Sequence, residues 1–274
     1  MIDTSHSSRR ASLLSIYAVA VFAFLYLPIA VLILYSFNRD GVGGFPPRHF
    51  SLEWYRQLFA DAPLWDSVVN SLLVAAGAVV LSLILGLLAA LALDRAEFPG
   101  KSLFRRLVLL PLILPGIITG LPLLMLAVTL DFSRSLALVF FGHGTALISV
   151  ATTELFAGLQ KIDRAQEEAS LDLGATPWQT FWRITLPNLR LSLIAAALLV
   201  FTLSMDEIAV TFFLIGSNNT LPLEIFARLR RGITPEINAI STLIFAASVV
   251  LILIWHRIRT RSVGSKAQEL LERP

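Results

Sequence analysis

KIDRAQEEASLDLGATPWQTFWRITLP, residues Lys161–Pro187, decides how this chain is read. It is polar and charged, yet it lies between two long apolar stretches, Ser135–Thr153 and Leu191–Leu223. A regular charged element set between membrane helices presents itself to a soluble partner. Its first part, Lys161–Leu173, predicts a short helix. Asp163, Arg164, Glu167 and Glu168 make it polar, while Ala165, Ala169 and Leu173 form a narrow apolar stripe at four-residue spacing. Gly174 falls where a left-handed residue ends a helix. Thr176-Pro177-Trp178-Gln179 then starts another, with Thr176 as N-cap, Pro177 in the first helical position and Gln179 completing a capping box. Trp178, Phe181 and Trp182 hold this second piece at the membrane surface, and Pro187 opens the next span.

Working outward, the composition is that of a membrane protein. The chain of 274 residues is 56% hydrophobic and 15% charged, with mean hydropathy +0.75, whereas soluble domains carry about 25% charge. Uncharged runs at Ala11–Asn38, Ser67–Leu93, Leu107–Leu130, Ser135–Thr153 and Ile237–Trp255 each suffice for a bilayer crossing, which takes about 20 residues. A sixth span is interrupted by Asp206 and Glu207. The reading is an all-α integral membrane protein, one domain over 1–274, with six spans near 13–37, 67–93, 107–130, 138–159, 188–216 and 237–257. Most of the 22 Lys and Arg residues then lie on the side of the termini, from Arg9 and Arg10 through Arg95–Arg106 and Lys161–Arg190 to Arg273. The positive-inside rule therefore places both termini in the cytoplasm. The net charge of +3 is this bias and not a nucleic-acid footprint. With no cysteine, disulfides and thiolate metal sites are excluded. Arg9-Arg10 before an apolar run resembles an export signal, but the run is too long and no small-residue cleavage site follows.

Along the chain, Pro28 sits within the first span. Gly41–Gly44 and Pro46-Pro47 mark an external segment, and Ser51 caps a short helix whose Trp54 and Tyr55, like Trp65, suit an interfacial belt. The third span carries Pro111, Pro115 and Pro122, with Gly116 and Gly120 four apart for close helix approach, so a single distorted helix is expected there.

Glu168-Ala169-Ser170, then three residues, Gly174, nine residues, Ile184, one residue and Leu186-Pro187 resembles the signature of binding-protein-dependent ABC importer permeases. Only Ser170 departs, standing where the pattern has a second alanine. The resemblance implies a type I ABC importer permease bundle in a bacterial inner membrane. It implies that Lys161–Pro187 is a coupling helix received by a separate ATPase, which binds ATP and Mg. By position, Glu168, Ala169, Ser170, Gly174, Ile184, Leu186 and Pro187 are the ATPase-coupling residues. Glu168 would meet a basic residue, Ala169 would permit close approach and Gly174 the bend. No Gly-rich loop ending in Gly-Lys-Ser/Thr is present, so the chain itself is not expected to be an enzyme. The implied partners are a homologous, non-identical permease, two ATPase subunits and an external solute-binding protein.

The stretches Phe201–Glu207, Leu221-Pro222 and Gly232–Ala239 narrow the resemblance to the second permease subunit of spermidine/putrescine transporters. Permeases for other amines, opines or aminophosphonates share much of this pattern. Candidate residues for the substrate path are Asp206, Glu207, Asn70 and Glu154, because ionisable groups inside spans face a cavity or a partner. Adjacent carboxylates at 206 and 207 suit a cationic amine; they equally suit a helix–helix pair with an arginine. Glu154 snorkels to the cytoplasmic interface or pairs with Lys161 or Arg164, Asn70 reads as a packing amide or a cavity residue, and His143 as a pH-sensitive gate or a hydrogen-bonded interfacial histidine. Arg228–Arg231 docks an acidic surface or forms a solvated face. From a different class, an ion-coupled secondary transporter using Glu154, Asp206 and Glu207 would show repeated halves, which this chain lacks.

Overall fold

Helices begin and end where proline, glycine and buried polar groups dictate, and the result is almost wholly α. A computed structural model describes residues 4–40, 46–47, 49–232, 234–250 and 253. The expected loop Gly41–Gly44 and the end of the sixth span lie outside the described residues. The chain divides into two compact units, Met1–Asp61 with Arg228–Pro274, and Ala62–Ala227.

In the first unit, α1 runs Thr4–Ser36 and keeps Pro28 within it. A bridge pairs Asn38 with Phe50 and returns the chain to α2, Glu53–Ala60. Ser51 serves the start of α2, its Oγ accepting from Glu53 N at 3.1 Å. Trp54 donates Nε1–H to Asn38 O at 2.9 Å, and Tyr55 OH lies 2.6 Å from Ser36 Oγ. An apolar helix, α13, covers Pro235–Val250.

The second unit is built on α3, Ala62–Arg95, which packs against α6 (Leu136–Ala146), α7 (Ile148–Leu159) and α10 (Leu186–Asp206). Toward the Arg95 end, Ala90, Leu155, Leu159, Leu189 and Ala196 form one buried cluster. Toward the other end, Val74, Val139, Val210, Leu214, Ile215 and Leu223 form a second. Lipid tails are as apolar as these side chains, so close packing rather than escape from water holds such helices together. Gly144 shows the requirement: a Cβ there would lie 2.5 Å from Leu81 Cδ2, while its carbonyl accepts from Ser82 Oγ at 2.7 Å.

Three expected spans are corrected. The third is not one distorted helix but α4 (Lys101–Leu109), a 3-10 turn at Leu110–Leu112 and α5 (Gly116–Thr129), bent by 104°. Pro115, at φ −58° and ψ 144°, takes the extended conformation that stops one helix and precedes the next. The fourth bends by 42° at Leu147, between α6 and α7. The fifth does not begin near residue 188 or continue to 216. It runs unbroken over Pro177–Asp206, 30 residues, then stops; α11 (Ala209–Leu214) and α12 (Leu221–Arg231) follow. Among the described residues, Leu14–Ser36, Ala62–Arg95 and Pro177–Asp206 are each long and apolar enough to cross a bilayer, and the two bent pairs bring the number to five.

Candidate functional site

The elbow at Lys161–Pro187 is assembled from local chemistry. Asp163 caps α8 (Arg164–Asp172), its Oδ1 accepting from Ala165 N at 3.0 Å. The helix therefore starts three residues later than the sequence pattern suggests. Gly174 has φ +86°, and its N–H donates to Leu171 O at 2.9 Å while Ala175 N–H donates to Ser170 O at 3.1 Å. That pair of bonds is a Schellman ending, which satisfies carbonyls the helix would otherwise leave open. Thr176 and Gln179 form the expected capping box at 3.3 and 2.8 Å and start α9, Pro177–Thr180.

Pro187 does not open a new helix. A π turn over Phe181–Thr185, closed by Leu186 N–H to Phe181 O, precedes it. The widened turn accommodates a residue that has no N–H to donate, so α9 and α10 form one rod. Trp178, Phe181 and Trp182 cluster with ring centroids 5.5–6.0 Å apart, and both tryptophans are largely exposed.

The signature residues fall into three roles. Glu168 is exposed and makes no ion pair among the described residues. Ala169, Ser170 and Ile184 line a cleft of about 370 Å³ beside Leu173, which is 89% exposed. Ser170, at the alanine position of the pattern, has its Oγ 3.0 Å from Thr180 Oγ1, which ties α8 to α9. Leu186 and Pro187 belong to the rod.

Sequence reasoning passed over the residues that hold the elbow. Glu167 Oε1 accepts from Arg95 Nη2 at 2.9 Å and from Thr185 Oγ1 at 2.7 Å. Asp94 receives Gln160 Nε2 on Oδ1 at 2.7 Å and Arg164 Nη2 on its carbonyl at 3.0 Å, with Arg95 Nε 3.2 Å from Oδ2. Arg164 is thus committed to Asp94 rather than to Glu154, which is half-buried in α7. The available signal was Asp94-Arg95 itself, a charged pair closing the long uncharged run of α3.

At the other end of the rod, Asp206 and Glu207 lie at a helix break instead of inside a span. Glu207 is extended (φ −80°, ψ 114°). Its Oε1 accepts from Val210 N at 2.9 Å, capping α11, and a Cβ on Gly116 would lie 2.9 Å from the same oxygen. The Glu207 carboxylate is engaged; the Asp206 side chain is exposed. His143 is 1% exposed and bridges the break, with Nδ1 2.8 Å from Ser204 Oγ and Nε2 2.8 Å from Thr211 Oγ1. The hydrogen bonds expected of it are present, but in the buried interior rather than at the interface. Asn70 donates to Asn219 O at 3.0 Å. Arg228 is taken by Asp61 in a two-pronged pair at 2.6 and 3.1 Å.

The elbow thus stands at one end of a continuous helix, and the exposed carboxylate of Asp206 at the other. Residues 82–263 match the family described as binding-protein-dependent transport system inner membrane component. The chain belongs to this family. It is a multi-pass permease component of an ABC importer that works with a binding protein, and ATP hydrolysis resides in a separate subunit. A secondary transporter is thereby set aside. The permease is similar to the putrescine transport system permease protein PotI of Escherichia coli, 37% identical over 248 residues and 86% of each chain. It is also similar to the spermidine/putrescine permease protein PotC of Haemophilus influenzae, 33% identical over 85% of this chain and 91% of that one. In fold it resembles a chain of a bacterial ABC transporter that imports alginate, with TM-score 0.70, 16% identity and coverage of 93% and 98%. A chain of the MetNI methionine ABC transporter gives TM-score 0.57 at 17% identity, covering 78% of this chain and 99% of that one.

Proposed function

We propose that this permease imports a polyamine such as putrescine or spermidine, or a related small cationic amine, driven by a separate ATPase that receives the elbow. The observation that carries the reading is the unbroken helix from Pro177 to Asp206. At 1.5 Å per residue it is about 45 Å long, enough to reach from one headgroup region to the other. A push at the elbow is therefore felt at Asp206 on the far side. The relatives named for putrescine and spermidine support the choice of substrate.

In this scheme six spans place both termini and the elbow in the cytoplasm. Glu168 offers its unpaired charge to a basic residue of the ATPase, Ala169 allows close approach and Gly174 keeps the bend. Ile184, Leu186 and Pro187 root the contact in the rod. ATP and Mg are bound by that partner. A second, non-identical permease completes the membrane part, two ATPases drive it, and the external binding protein delivers substrate. Asp206 meets the cation, since Glu207 already caps α11.

The test is labelled putrescine uptake by the transporter assembled in liposomes. Asp206→Asn should raise KM by about 10- to 100-fold, the value of a charge-assisted contact of roughly 1.5–3 kcal/mol. Glu207→Gln should reduce the amount of assembled transporter and leave KM nearly unchanged. An unaltered KM in Asp206→Asn rejects the pathway role. Failure to take up labelled putrescine, with uptake of a labelled opine or aminophosphonate in its place, redirects the substrate assignment.

A further inference from the structure

Helix α8 is the part of the elbow that a soluble partner would press, yet not one of its residues is buried. Apolar packing cannot hold it in place. Polar ties do, and they lead in two directions. Toward the root of α10, Glu167 Oε1 takes Thr185 Oγ1 at 2.7 Å, and Gln166 Oε1 takes Asn188 Nδ2 at 3.1 Å. Toward α3, the ties are the Arg95–Glu167 pair at 2.9 Å and the Arg164 bond to Asp94 O at 3.0 Å.

The α3 side is not a solvated surface pair. The side chains of Asp94, Glu167 and Arg95 are 2%, 15% and 24% exposed. Asp94 Oδ2 is buried and, among the described residues, has no hydrogen bond in favourable geometry; Arg95 Nε lies 3.2 Å from it, and Arg164 Nη2, itself 58% exposed, lies 3.5 Å from Oδ1. Exposed pairs contribute little because water screens them. A shielded carboxylate differs, since removing its partner leaves a charge that the interior cannot solvate. Glu167 and Glu168 are neighbours with opposite tasks: one is locked to α3, the other is left free at the surface.

The far end of α3 also has a polar grip. Asn70 donates to Asn219 O at 3.0 Å, and Ser71 Oγ accepts from Leu221 N at 2.8 Å. One 34-residue helix thus links the elbow to the segment that leads into α12.

We infer that Arg95 and Asp94 are positioning residues for energy coupling, which deliver the displacement of α8 to α3 as well as to α10. The elbow, the Arg95 end of α3 and the root of α10 then shift as one body. This inference rests on reading the elbow as the ATPase contact.

The chain contains no cysteine, so a thiol pair can be placed without background from it. Arg95→Cys with Glu167→Cys would be assembled with cysteine-free partner subunits in liposomes. Putrescine uptake and ATP hydrolysis are measured on the same preparation, and the readout is substrate moved per ATP, which a lower yield of inserted protein does not change. With the thiols reduced, the ratio should fall about tenfold, equivalent to roughly 1.4 kcal/mol. Bridging them with a short bifunctional methanethiosulfonate should restore most of it. An unchanged ratio with free thiols overturns the inference. So does arrest of uptake on bridging, because the two elements would then have to separate during the cycle.

Should the double variant fail to assemble, Arg95→Gln and Glu167→Gln, which keep polar shape without the charge, are read in the same way. Glu168→Lys separates this inference from the one beneath it. If Glu168→Lys uncouples while the thiol pair does not, the α3 tie falls and the elbow reading stands. If neither uncouples, both fall.

Discussion

The elbow at Lys161–Pro187 and the break at Asp206–Ile208 both interrupt helices in the same stretch of chain, by different means. At the elbow each interruption is specified within a few positions. Asp163 caps α8, Gly174 ends it at φ +86°, and Thr176 with Gln179 starts α9. At the break, no glycine or proline stands between Asn188 and Ile215. The helix stops there because distant groups provide for its open ends. His143 joins Ser204 to Thr211, and Glu207 caps Val210 beneath the close approach of Gly116. A locally specified bend keeps its shape as it is pushed, which suits a contact that receives force. A bend held from outside yields when its neighbours move, which suits a point where a path opens.

The largest expected effect that sharpens this contrast is at His143. His143→Ala would take the imidazole from the buried Ser204 hydroxyl, while Thr211 keeps its bond to Glu207 O, and would open a cavity, together destabilising by about 3–5 kcal/mol. Thermal unfolding of the purified transporter should show a lower Tm than any single elbow substitution produces. If the loss is no greater than that of an elbow cap, the break is not held by tertiary contacts.

Gly174→Val comes next. A branched side chain at φ +86° should cost about 1–3 kcal/mol. The damage should stay local, with faster hydrogen exchange across α8 and unchanged protection in α3 and α10. Spread of that exchange into the bundle would break the distinction drawn above. Thr176→Ala should cost about 1 kcal/mol, the value of an N-cap, seen as fraying confined to 177–180. Ser170→Ala is the smallest, on the order of 0.5–1.5 kcal/mol for one hydrogen bond. Its expected readout is a small loss in Tm with uptake intact.

The site was partly legible. Capping residues act on their own neighbours, so Gly174, Thr176, Pro177 and Gln179 could be placed from order alone. Glu167 could not. It stands next to Glu168 in an equally polar helix, and only the packing of α3 against α7 and α10 brings Arg95 to one and not to the other. The continuity through Pro187 was hidden for a related reason. A proline after a polar segment usually marks a helix start, and the π turn that absorbs it leaves no mark in composition. The three prolines of the third span signalled distortion, but the angle of 104° depends on how α4 lies against α7.

What the sequence by itself determined is the solvent, the helical class and the anatomy of the elbow. Long uncharged runs have no alternative to a bilayer, where every backbone group must find its partner within a helix, and caps and glycines act over a single turn. What only the tertiary structure decided is the division of labour among the charges. Glu167 is locked to Arg95, Glu168 is left exposed, Glu207 serves as a cap and Asp206 stands open at the end of the rod. Charge type is written in order, but whether a charge is spent inside the fold depends on which distant residue arrives beside it.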